Sequence, residues 1–165
     1  GNPSASAQAW LRRTLMPRAP LDPTASRRAI WLRRGRSARR PVFGEDEVLK
    51  LLAPLGVDAI DSGELPVAEQ ATLVANARLV ISPHGGAMAN LVFAARSATV
   101  LELHHPDYRP PYYQNLASAR GFRYVSQAQS ARPPVLFRDL LFESPATEPI
   151  VLDPRRVADA VCSLL

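Results

Sequence analysis

The sequence predicts an α/β domain built on a parallel β-sheet with helices on both faces. Three observations carry this. Five short apolar runs alternate with helix-like stretches, and the connections between them are short. The middle run, Leu79, Val80 and Ile81, is apolar at every position, as expected of a strand covered on both faces. The chain has 165 residues and is 47% hydrophobic, so it is one domain by length and buries roughly 70% of its unfolded surface.

The elements follow in order. Residues 1–26 read as an irregular N-terminal segment or interdomain linker, broken by Pro3, Pro17, Pro20 and Pro23, with room for a short helix over 8–15. The domain proper is expected over 27–165. Residues 28–33 form the first strand and 37–44 a basic loop. Glu45, Asp46 and Glu47 then load the first turn of a helix, where the dipole favours acids; Pro54 and Gly56 mark its end. Residues 57–60 are the second strand. Pro66 opens a helix that runs to about residue 77. Residues 78–82 are the third strand, 86–94 a helix, and 98–103 the fourth strand. A helix over 111–120 stops at Gly121, and 122–126 is the fifth strand. Residues 127–149 are proline-rich and read as loop, a candidate flap. Asp153 caps a final amphipathic helix, with Pro154 behind it and Val157, Ala160, Val161 and Leu164 at helical spacing.

Charge is unevenly distributed. The net charge is +5. Residues 1–44 carry ten arginines against one acid, Asp22, a net of +9; the remainder nets −4. The basic half suits an anionic partner or a solvated arginine edge. Cys162 stands alone, which excludes an intramolecular disulfide and argues against a cysteine metal site. No apolar run approaches the ~20 residues that span a bilayer, and no signal peptide is visible, so a cytoplasmic location is expected. The chain opens on Gly1 rather than Met and reads as an excised domain or a processed fragment.

Ligands of open parallel sheets bind beyond the carboxyl ends of the strands, near the point where strand order reverses. Two motifs fall at such ends: Arg33, Arg34 and Arg39 after the first strand, and His84, Gly85 and Gly86 after the third. Two glycines let a ligand approach the backbone, and the opening amides of a helix suit an anion. Arginine forks bind phosphate in bidentate fashion. Neither the dinucleotide glycine fingerprint nor a P-loop is present. Asn90 either faces the same cleft or pairs within the fold. Glu102, in an otherwise apolar strand, needs a partner, either sugar hydroxyls or an arginine. His104 and His105 point to opposite sides of an extended chain, so they do not share a metal. Tyr112 and Tyr113 either stack on a base or pack.

Taken in order, these motifs resemble the family 61 glycosyltransferases. The resemblance rests on Arg-Arg-Gly-x-x-x-Arg over 33–39, Gly-Glu-Asp-Glu over 44–47, Glu69-Gln70, the block 77–93, Val-Leu-Glu-Leu over 100–103 and Tyr112-Tyr113. The His-Gly-Gly-Ala-x-x-Asn block and the Val-Leu-Glu-Leu run are its specific parts. Two positions depart from the family pattern. The small residues after His84 stand in another order, and Gly44 occupies a place where Asn is usual.

The resemblance implies a Rossmann-like sheet forming one half of a GT-B enzyme, the carboxyl-terminal half that holds a nucleoside-diphosphate sugar. It implies transfer of the sugar to a glycan or other acceptor, with inversion and without a bound metal or other cofactor. Arg33, Arg34, Arg39, His84, Gly85, Gly86 and Asn90 would hold the donor, with Glu102 on its ribose hydroxyls. No catalytic base is apparent. An acceptor-binding N-terminal domain or a partner chain is implied and is not found in residues 1–26. A non-catalytic nucleotide-binding or assembly module, and a basic nucleic-acid-binding domain, are the alternatives.

Overall fold

A computed structural model describes residues 4–16, 28–34, 40–129 and 144–165. It contains helix α1 (Ala5–Leu15), strands β1 (Arg28–Leu32) and β2 (Val42–Phe43), α2 (Glu45–Leu52), β3 (Val57–Ile60), α3 (Val67–Asn76) and β4 (Ala77–Pro83). After β4 come a 3-10 helix (Gly86–Phe93), β5 (Thr99–His104), α4 (Tyr112–Arg120), β6 (Arg123–Ala128), β7 (Ile150–Val151) and α5 (Pro154–Cys162).

Five strands form one sheet in the order β3-β1-β4-β5-β6, and every neighbouring pair is parallel. These are the five strands expected from the apolar runs. The sheet separates two cores by simple alternation. Ile30, Leu32, Val80 and Val100 point to the side covered by α1, α3, the 3-10 helix and α4. Ala29, Trp31, Leu79, Ile81, Leu101 and Leu103 point to the side covered by α2 and α5. Burial on both sides explains why β4 is apolar at consecutive positions.

Some local features depart from expectation. The first helix starts at Ala5, three residues before the expected point, because Ser4 Oγ caps it by accepting from Ala7 N at 3.2 Å. It is docked rather than irregular. Leu11, Leu15 and Met16 pack on the first core, and Arg12 Nη1 donates to Val92 O at 3.0 Å. The helix after β4 is 3-10 in type. A small second sheet, β2 paired in parallel with β7, joins the basic loop to the segment before α5. Two-residue strands carry no readable periodicity. Gly44 opens α2 in the left-handed region, at φ 81°, and a Cβ there would lie 3.0 Å from Leu152 O. Asp153 caps α5 as expected, its Oδ1 accepting from Arg156 N at 3.1 Å. Arg39, and residues 130–143 of the expected flap, lie outside the described residues.

The chain passes from β1 outward to β3 and then crosses back to β4 on the other side of β1. The switch point therefore lies between the carboxyl ends of β1 and β4. Arg33 and Arg34 follow the first of these strands, and His84 and Gly85 follow the second.

Candidate functional site

The turn after β4 is fixed from both sides. His84 N donates to Leu103 O at 2.8 Å, which extends the β4–β5 ladder past the strand end. Arg34 Nη1 donates to His84 O, so the first and third strand ends of the sequence are tied together. Tyr113 of α4 donates its hydroxyl to Gly85 O at 2.8 Å. A Cβ on Gly85 would sit 2.5 Å from Arg34 Nη1 and 2.8 Å from its Cζ. The guanidinium lies across the backbone of this glycine, so a side chain there would have to displace it. The first bond of the 3-10 helix runs from Met88 N to Gly85 O at 3.1 Å. The N–H groups of Gly86 and Ala87 consequently have no intrahelical partner, as at any helix start.

Behind the turn lies a buried polar network. His84 is 7% exposed and Glu102 is fully buried. His84 Nδ1 stands 2.5 Å from Glu102 Oε1. Tyr124 donates its hydroxyl to Glu102 Oε2 at 2.5 Å, and His104 Nε2 lies 3.5 Å from the same oxygen. Strand alternation produces this group. Val100, Glu102 and His104 share one face of β5, and register places Tyr124 of β6 beside Val100. His105 turns to the opposite side, where its Nε2 lies 3.0 Å from Glu148 Oε2. Burial alone would push the Glu102 carboxyl up. Hydrogen bonds from His104, His84 and Tyr124 outweigh that and hold it at about 2. Burial and the nearby Glu102 push Tyr113 up to about 12, and burial and its bond to Glu102 push Tyr124 up as well.

The His84 ring stacks on His104, with ring centres 5.4 Å apart, and meets Tyr108 edge-on at 5.5 Å. Tyr112 and Tyr113 stand at 6.4 and 5.6 Å. With Nδ1 occupied by Glu102, Nε2 is the ring's remaining polar atom, and no hydrogen bond to it is present among the described residues.

The expected site residues therefore divide. Arg34, His84, Gly85 and Glu102 come together, with Gly86 exposed beside them. Arg33 points the other way, on the Trp31 side of β1. Its Nε lies 3.2 Å from Glu45 Oε2 and its Nη2 2.9 Å from Asp46 Oδ1. Asn90 pairs within the fold, donating to Gln70 Oε1 at 2.7 Å and Ala87 O at 3.2 Å. Glu102, for which ribose hydroxyls or an arginine were the expected partners, has both oxygens taken by His84, Tyr124 and His104. A cleft of about 860 Å³ runs beside the switch point, lined by Arg33, Arg34, Arg40, Gly44, Glu45 and Asp61 among others. Arg40 is buried; its Nε donates to Ala146 O at 2.9 Å, and its guanidinium covers the Tyr108 ring at 4.5 Å.

His84, Glu102 and His104 bring their ligand atoms within 4.8 Å of one another, which raises the question of a metal. As the group stands, His84 and Glu102 are joined directly by a hydrogen bond, closer than the roughly 3.3 Å between two ligands of one tetrahedral ion.

Sequence reasoning missed Tyr124, and it set His104 aside after asking only whether it shares a metal with His105. The signal for His104 was the two-residue spacing from Glu102, which places both on one strand face.

A parallel sheet covered on both faces, with polar groups gathered at its switch point, defines a Rossmann-like α/β domain. A family model described as Glycosyltransferase 61 matches residues 2–101, and the chain belongs to that family. It is also similar to the EGF domain-specific O-linked N-acetylglucosamine transferase of Drosophila melanogaster, at 33% identity over 125 residues. That alignment covers 72% of this chain and 23% of the relative, so the chain spans less than a quarter of the relative's length. Among the described residues, no helix is long and apolar enough to cross a membrane.

Proposed function

We propose that this chain is the donor-binding part of a sugar transferase that uses a nucleoside-diphosphate sugar. The single observation behind this reading is the convergence of Arg34, the His84 side chain and the Gly85–Gly86 backbone at the switch point of a parallel sheet. A diphosphate matches that arrangement. In this reading the Gly86 and Ala87 amides donate to it, and Arg34 supplies charge with no ion pair to an acid among the described residues, unlike Arg33. Membership of family 61 supports sugar transfer as the overall reaction. The name of the fly relative supports an N-acetylglucosamine donor and a hydroxyl acceptor.

In this reading, the protein stabilises the leaving diphosphate by fixed charges and dipoles rather than by a metal. The sugar is transferred with inversion. The acceptor and its activating base are supplied by a further domain or partner chain in a GT-B arrangement. His84 faces the donor, and Glu102 holds His84 in place from behind.

Titration calorimetry with UDP-N-acetylglucosamine, UDP-glucose and GDP-mannose tests the reading. Saturable binding of at least one, weakened by Arg34→Ala, is expected. Folded protein that binds none of them contradicts it.

A further inference from the structure

The sense of the His84–Glu102 hydrogen bond limits what His84 can do with an anion. An ionised carboxylate only accepts, so the proton in this bond sits on Nδ1. In a neutral ring Nε2 is then a bare acceptor. A phosphate oxygen is also an acceptor, so the neutral ring held in this way opposes it. Only a ring protonated at both nitrogens donates to phosphate while keeping its bond to Glu102.

The groups around His84 decide where the balancing charge lies. From β5 it faces Glu102 and His104. Tyr124 of β6 reaches it through Glu102. Tyr108, Tyr112 and Tyr113 pack around the ring from the turn before α4 and from α4 itself. Arg34 donates to its carbonyl oxygen. Glu102 is the anion among them. Arg34 opposes a second positive charge until an anion arrives beside it.

We infer that binding of the donor's diphosphate is coupled to uptake of a proton at His84 Nε2, with Glu102 as the positioning counter-charge. This rests on the sugar-nucleotide reading above. One consequence is directional: affinity falls as pH rises, by up to about tenfold per pH unit when one proton is taken up. A second is that Glu102 acts through His84 and touches no ligand.

The test uses the whole chain and UDP-N-acetylglucosamine at about pH 8, where an ordinary imidazole is mostly neutral. A sugar nucleotide is the right probe because its phosphates do not titrate near neutrality, whereas a terminal phosphate does. Binding heats are measured in buffers of different protonation enthalpy, and the slope counts protons. The expected result is net uptake approaching about one proton per bound ligand. Uptake should vanish in His84→Gln and shrink in Glu102→Gln. Long-range proton–nitrogen NMR of the unmodified chain gives the same answer without any variant. His84 should show a protonated Nδ1 and a bare Nε2 when free, and two protonated nitrogens when bound.

Sugar-nucleotide binding with no proton uptake, or with Nε2 bare in the complex, overturns the inference and leaves the donor-site reading intact. If UDP-N-acetylglucosamine does not bind but another of the sugar nucleotides named above does, the same measurements are made with that one. If none binds, both fall.

Discussion

His84 Nδ1 and Glu102 Oε1 lie 2.5 Å apart, across the carboxyl ends of two neighbouring strands. The two residues are eighteen positions apart in the chain. Parallel pairing of Ser82 with Glu102 brings them together. The bond sets the direction of the imidazole and explains a fully buried carboxylate in a sheet whose other inward residues are mostly apolar.

That carboxylate makes stability depend on acid. Its folded value is about 2 against an ordinary 4.5, so it is depressed on folding. A depressed carboxyl stabilises fully above its unfolded value and loses that contribution as pH falls toward its folded value. Up to about 3 kcal/mol should therefore be lost between about pH 4.5 and about pH 2. Glu102→Gln should flatten this part of the profile. Urea unfolding at several acidic pH values checks it; an unchanged slope in the variant contradicts the assignment.

Tyr124 donates to Glu102 Oε2 at 2.5 Å, and the other group beside that oxygen among the described residues, His104 Nε2, stands at 3.5 Å. Removing the hydroxyl in Tyr124→Phe should cost about 1 to 3 kcal/mol. It should also move the acid transition upward in pH, because the carboxylate loses one of its stabilising bonds. Denaturant midpoints at neutral and acidic pH measure both effects.

Gly85→Ala tests the contact between the turn and Arg34. The new methyl would overlap the guanidinium, the far end of a flexible side chain, rather than backbone. Folding stability should change by less than about 1 kcal/mol. Sugar-nucleotide affinity should drop by about tenfold, the effect of losing a single charge-assisted contact. A thermal melt paired with a binding titration separates the two. A large loss of stability with intact binding would show that the glycine serves the turn alone.

Gly44 is a different case. Its φ of 81° is unfavourable for any residue with a Cβ, and the space beside it is limited by Leu152 O at 3.0 Å. Gly44→Ala should destabilise by about 1 to 2 kcal/mol. Gly44→Asn should cost less, since Asn tolerates the left-handed region better. Glycine, which departs here from the Asn usual in the family it resembles, also suits the left-handed conformation. Chemical denaturation of the two variants ranks them.

The sheet was legible because its signal is a repeated one. Five apolar runs, each bounded by helical patterns or breakers, need no knowledge of their neighbours. The two-stranded sheet of β2 and β7 lacks that redundancy. Within the site, the His-Gly-Gly turn and the buried acid were readable as oddities in apolar surroundings. Their connection was not, because it depends on strand register. The arginines show the same limit. Arg33 and Arg34 are adjacent, so alternation at the end of β1 sends one to Glu45 and Asp46 and the other to His84. A charge run does not reveal which arginine faces which way. Asn90 fell one helical turn from Gly86 on α-helical geometry, but the segment is 3-10 and its carboxamide reaches Gln70.

The central claim is that a sugar nucleotide binds between the carboxyl ends of β1 and β4. Backbone amide NMR of the labelled chain during titration with UDP-N-acetylglucosamine tests this most directly. The largest shifts are expected at Gly85, Gly86, Ala87 and Arg34, with smaller ones at Glu102. Shifts concentrated elsewhere, such as the separate cavity beside Arg28, Asp58 and Asn76, would contradict it.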